Sequence, residues 1–102
     1  MSADHEEVNL VATFRAKAGH VDQVRDLIVN YGELVRAEPG NEFFEIYTDR
    51  DSHGDFVIVE RYRDHAAFEQ HLTAEVGKEF NRKLGPLIEG NGSELQFLTR
   101  HQ

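Results

Sequence analysis

Glu60-Arg61-Tyr62-Arg63-Asp64-His65-Ala66-Ala67-Phe68-Glu69-Gln70-His71, running on to Lys78, is a 19-residue stretch in which one periodicity gives way to another. Up to Tyr62 the pattern alternates: Phe56, Ile58, Glu60 and Tyr62 share one face of a strand, and Val57, Val59 and Arg61 share the other. Asp64 then offers its carboxylate to the exposed first-turn amides of a helix. Phe68, His71 and Leu72 lie on one side of that helix. A glutamate on an apolar strand face and a histidine on an apolar helix side are both hard to solvate. A buried carboxylate either finds a partner or takes up a proton. The helix is expected to fold back over the sheet, which makes Glu60 and His71 a candidate pair.

Working outward, Val8, Leu10, Ala12 and Phe14 alternate with Asn9, Val11, Thr13 and Arg15, giving a first strand over 8–15. Beyond Gly19, Val21, Val24, Leu27, Ile28, Tyr31, Leu34 and Val35 recur at helical spacing. Asp22 and Asp26 near the start of this helix and Arg36 near its end suit the helix dipole. Gly32 in its interior costs about 1 kcal/mol relative to alanine. Pro39-Gly40 closes the connection. Phe43 to Thr48 predicts a second strand, Asp49 to Asp55 a turn-rich connector, and Phe56 to Tyr62 the third strand. A second helix restarts at Thr73 with Val76, Phe80, Leu84, Leu87 and Ile88 on its buried face, and Pro86 ends or bends it. Gly90-Asn91-Gly92 predicts a turn before a last strand from Leu95 to Thr99.

The order β-α-β-β-α-β, with the second helical segment split, predicts an α+β fold of ferredoxin-like type: a four-stranded antiparallel sheet with helices on one face. A chain of 102 residues is one domain by size, with an ordered core expected over about 8–99. Val11, Phe43, Val57 and Val59 fall on the face the helices leave open. The simplest cover is the sheet of a second copy, paired by a two-fold axis.

Composition narrows the function classes. Nineteen acidic against 11 basic side chains give a net charge of −8, a surface that repels phosphate backbones and argues against nucleic acid as a partner. With no cysteine, the sequence has no disulfide, thiolate nucleophile or Cys-ligated metal site. No apolar run approaches the roughly 20 residues that span a bilayer. The polar, acidic segment Met1 to Glu7 lacks the pattern of a signal or transit peptide, so the cytoplasm is the expected location. His5, His20, His53, His65 and His101 are scattered, and His65 and His71 fall on different sides of their helix, so no metal site is expected. The glycines of Gly90-Asn91-Gly92 follow a helix, the wrong context for a dinucleotide loop.

His71 is the sharpest chemical candidate, because an imidazole titrates near about 6.5 and exchanges protons readily at neutral pH. Glu60 is the second. Asn41, Phe44, Tyr47, Tyr62 and Phe80 are candidates to line a pocket between sheet and helices. Phe44 and Tyr47 cannot face the same side of a regular strand, and Asn41 after Pro-Gly equally suits a turn.

From about Val8 to Thr99, with Glu38-Pro39-Gly40-Asn41 upstream of the Glu60–Lys78 stretch, the chain resembles the antibiotic biosynthesis monooxygenase (ABM) family of dimeric α+β barrels. The resemblance implies a homodimer formed sheet to sheet, a small-molecule substrate and no tightly held cofactor. In cofactor-independent members the substrate, an aromatic polyketide or quinol, is the electron donor, and its deprotonated form reacts with oxygen. By that likeness His71 would be the base or a hydrogen-bond donor to the substrate, with Glu60 or Asn41 orienting. A haem-degrading branch uses an Asn, Trp and His triad; those places fall here on Ala12, His71 and Asn81, and all three depart from it. Another branch isomerises a phosphorylated autoinducer-2 sugar derivative, with a pattern that resembles Glu38-Pro39-Gly40-Asn41, Phe44 and Glu60. A phosphate would call on Arg15, Arg61, Arg82 or Lys83. A dimer that binds a small ligand without turnover is the remaining alternative.

Overall fold

The computed structural model describes residues 6–102; His5 and the rest of the polar leader before Glu6 lie outside the described residues. Strand β1 (Val8–Arg15) lies in the middle of the sheet beside β3 (Ser52–Tyr62), with β2 (Asn41–Asp49) and β4 (Glu94–Leu98) at the edges, in the order β2-β3-β1-β4. All three pairings are antiparallel. Helices α1 (Val21–Arg36), α2 (His65–Thr73) and α3 (Glu75–Leu84) cover one face, and a single 3-10 turn (Gly85–Leu87) follows α3. This is the ferredoxin-like arrangement expected from the sequence.

The alternation of the strands decides the core. Leu10, Ala12 and Phe14 of β1 meet Glu60, Ile58 and Phe56 of β3 on the helix side. Phe44 and Ile46 of β2 continue that face opposite Glu60 and Ile58. Val24, Ile28, Tyr31 and Val35 of α1 pack on it and are buried. Gly32 explains itself here: a Cβ at this position would lie 3.1 Å from Ile46 Cδ1 and 3.3 Å from Phe44 Cδ1, so its absence lets α1 approach β2 closely. Arg36 ties the end of α1 to the same strand, donating from Nε and Nη2 to the Phe44 carbonyl at 3.0 and 2.8 Å.

Three expectations are corrected. The connector over Asp49 to Asp55 is not a long loop; only Arg50 and Asp51 turn, and β3 starts at Ser52. The polar run stays extended because β1 pairs alongside it, Arg15 opposite Asp55, and the Ala16 amide donates to the Gly54 carbonyl at 2.9 Å. The second helix restarts after Ala74, not at Thr73, whose hydroxyl instead bonds back to the Glu69 and Gln70 carbonyls within α2. Val76 is 43% exposed, and Leu87 and Ile88 lie beyond α3, where Pro86 forces the 3-10 turn. Ile88 is still buried, through a bridge to Ala16.

Among the described residues no helix covers the opposite sheet face. Val11, Val57, Val59 and Phe43 lie there half-buried, with the Arg61 guanidinium 4.9 Å from the Phe43 ring centre. Among the described residues no helix is long and apolar enough to cross a membrane.

Candidate functional site

Between the helices and the sheet lies a cavity of about 400 Å³. Its walls are mostly apolar, with Phe14, Phe44, Phe68 and Phe80 among them, and the half-exposed Leu72 and Leu95 also line it. Among the described residues its charged and titratable lining is confined to Tyr31, Glu60 and His71. No lysine or arginine lines it among the described residues.

Asp64 starts the helix that brings His71 to this wall. Its Oδ1 accepts the Ala67 amide at 2.8 Å, as the N-cap reading expects. His71 then lies one turn beyond Ala67, on the side that faces the sheet. The ring is caged by Tyr62 at 4.8 Å, Phe68 at 6.2 Å and Tyr31 at 6.3 Å between ring centres. Tyr31 itself is stacked on Phe80 at 4.1 Å and set edge-on to Phe44 at 5.9 Å.

Two carboxylates flank the imidazole. Nδ1 is 3.1 and 3.2 Å from the two oxygens of Glu38, within hydrogen-bond reach. Nε2 is 4.0 Å from Glu60 Oε1, too far for a hydrogen bond but close enough for attraction. Glu60 instead accepts from the Tyr62 hydroxyl at 2.7 Å. Burial pushes the Glu60 carboxyl above its ordinary range, a rise that the Tyr62 hydrogen bond and His71 oppose and Glu38 reinforces. Burial likewise raises the Tyr62 phenol, reinforced by Glu60, and the Tyr31 phenol, reinforced by Glu38 and Glu60. Both phenols therefore stay protonated, and that of Tyr62 donates to Glu60.

The sequence-derived candidates divide by position. His71, Glu60, Phe44 and Phe80 meet at the cavity. Tyr62 is fully buried and does not line the cavity; it touches the lining residues Glu60, His71 and Phe68. Asn41 stands apart, its side-chain amide directed to the Phe43 and Arg61 carbonyls at 3.1 and 3.5 Å, which is the turn role. Tyr47, 52% exposed, lies on the open sheet face. Arg15 pairs with Asp55, Arg61 with Asn9 and Glu7, and Arg82 and Lys83 with Glu79, all outside the cavity. Among the described residues no three His, Asp or Glu side chains converge as a metal site.

Glu38 and Tyr31 were not singled out as site residues from sequence. Tyr31 carried a weak signal, a phenol within an otherwise aliphatic helical stripe. Glu38 carried no signal of its own; its place is set by the turn at Gly40. A Cβ there would fall 2.1 Å from the Ala67 Cβ, so the turn after Glu38 is pressed directly onto α2 one helical turn before His71.

A small sheet-and-helix domain with an aromatic cavity and a histidine between carboxylates is the class this geometry defines. The sequence matches the antibiotic biosynthesis monooxygenase family over residues 8–83, and the chain belongs to that family. Solved structures agree in fold. Rv0793 from Mycobacterium tuberculosis superposes with a TM-score of 0.87 at 23% identity, covering 95% of this chain and 97% of that one. PA3566 from Pseudomonas aeruginosa gives 0.87 at 26%, covering 99% and 100%. SnoaB, a cofactor-independent oxygenase from Streptomyces nogalater solved as a mutant, gives 0.82 at 22%, covering 94% of each chain. No curated protein sequence matches this chain.

Proposed function

We propose that this protein is a monooxygenase that oxidises a small, uncharged aromatic substrate of quinol or anthrone type with molecular oxygen. The observation that carries the reading is the cavity itself: among the described residues it has aromatic walls, no lining cation, and a single titratable corner formed by His71, Glu60 and Tyr31. An apolar slot favours a flat neutral ring. A phosphorylated metabolite would find no Lys or Arg on this wall, and the phosphate-binding candidates of the sequence all point elsewhere. Membership of the family supports the reaction class, and the structural likeness to a cofactor-independent oxygenase points the same way.

In the proposed reaction His71 takes a proton from the ring hydroxyl or the activated methylene, and the phenol of Tyr31 donates a hydrogen bond to the anion that forms. Excluding water from the apolar slot protects that anion from reprotonation. The electron-rich carbanion or phenolate is the reductant for oxygen. A methylene flanked by two aromatic rings reacts with one molecule of oxygen to give the diaryl ketone and one molecule of water. One oxygen atom enters the carbonyl, the other leaves as water with both methylene hydrogens, and all four electrons come from the substrate.

The proposed working form is a homodimer in the cytoplasm, with the open sheet faces of two copies covering Val11, Val57, Val59 and Phe43. Supplying ¹⁸O-labelled oxygen gas with an anthrone tests the chemistry: one labelled oxygen in the carbonyl product is expected. Label taken from ¹⁸O-water under ordinary oxygen, beyond the background carbonyl exchange of authentic product, contradicts it.

A further inference from the structure

We propose that Glu38 is a positioning residue for His71: it keeps the proton of the neutral imidazole on Nδ1 and so presents Nε2, unprotonated, on the side of Glu60 and the cavity. An ionised carboxylate only accepts hydrogen bonds, and both Glu38 oxygens lie within 3.2 Å of Nδ1, so Nδ1 is the donor. In a neutral ring the other nitrogen is then the acceptor. Among the described residues no side chain donates a hydrogen bond to that acceptor. Glu60 Oε1 stands 4.0 Å from Nε2, and the Tyr62 hydroxyl holds that oxygen at 2.7 Å. An oxygen atom on the cavity side of the pair, off the line that joins the two, can lie at a normal bond length, about 2.8 Å, from each. The hydroxyl of a substrate fits there, bridging the base and the carboxyl.

The placement is built into the backbone. The Glu38 amide donates to the Val35 carbonyl at 2.9 Å, and its own carbonyl accepts from the Asn41 amide at 3.1 Å. Gly40 lies against Ala67, and its carbonyl accepts the Arg63 amide at 2.8 Å. Ala67 and His71 are one turn apart on α2, so the same close approach that seats the turn on the helix sets Glu38 beside the ring. Glu38 does not line the cavity; it acts through His71 and touches no substrate.

The inference rests on His71 exchanging the proton in the proposed reaction, but its test reads the resting protein. Imidazole ¹⁵N–¹H correlation spectra of ¹⁵N-histidine-labelled protein, followed upward in pH until the ring is neutral, report which nitrogen carries the proton. The expected result is Nδ1–H in the unaltered protein and a shift toward Nε2–H, the form a free histidine prefers, in Glu38→Ala. An Nε2–H ring in the unaltered protein overturns the proposal, as does a tautomer that Glu38→Ala leaves unmoved. If the variant does not fold, the unaltered protein decides alone. A failed oxygenase assay would leave this result standing, and a contrary tautomer would leave the oxygenase reading to its own test.

Discussion

Glu60 is held away from the water that would stabilise its charge, and its partner Tyr62 offers one hydrogen bond in return. Because burial raises its carboxyl above the ordinary 4.5, the folded chain holds this proton more tightly than the unfolded chain does. By linkage, the stability it contributes is fully present below the unfolded value and is lost as pH rises through the folded one. Glu60→Gln removes the charge and keeps an acceptor for the Tyr62 hydroxyl. Its melting temperature is therefore expected above that of the unaltered protein at neutral pH, with the gap closing below 4.5; calorimetry across pH checks this, and a lower melting temperature at neutral pH contradicts it. Glu38→Ala is expected to lower kcat by roughly 10²-fold with a much smaller change in KM, since it disturbs the base and not the binding walls. At this scale His71 and Glu60 were legible because each interrupts an apolar stripe. Glu38 was not, because it reaches His71 across 33 residues through a turn whose approach no periodicity encodes.

Among the elements, strands and helices followed their stripes where the stripe was apolar. β1 and α1 match the pattern because Leu10, Ala12 and Phe14, and Val24, Ile28 and Val35, are all buried, although Leu34 of the α1 stripe is 52% exposed. The start of β3 did not follow it, since Ser52-His53-Gly54-Asp55 has the composition of a turn and is kept extended by main-chain pairing. The break between α2 and α3 was expected, but slightly early: the Thr73 hydroxyl closes α2 from within, and α3 starts only after Ala74. Two substitutions test the seat of the site. Asp64→Ala removes the cap of α2 and is expected to destabilise the protein by about 1 kcal/mol in urea titration. Gly40→Ala forces the turn off Ala67, whose Cβ it would meet at 2.1 Å, and is expected to cost about 2 kcal/mol or more. A neutral effect of Gly40→Ala would mean that the turn is not clamped to α2.

For the molecule as a whole, the uncovered sheet face is the feature that most needs a partner. The sequence placed Val11, Val57, Val59 and Phe43 there by alternation alone, and the structure leaves them half-buried. In the proposed two-fold dimer each substitution occurs twice, so Val59→Lys buries two unpaired charges, at several kcal/mol each. Sedimentation is expected to show a dimer for the unaltered protein and at least about tenfold weaker association for this variant; a monomer at all micromolar concentrations contradicts the dimer. The cavity's chemistry remains the central claim, and oxygen uptake by purified, metal-free protein with a panel of quinols and anthrones, beside His71→Ala, tests it most directly. The account predicts uptake proportional to enzyme that falls by about 10²-fold or more in the variant. Uptake that His71→Ala leaves unchanged, or none with any member of the panel, would contradict it.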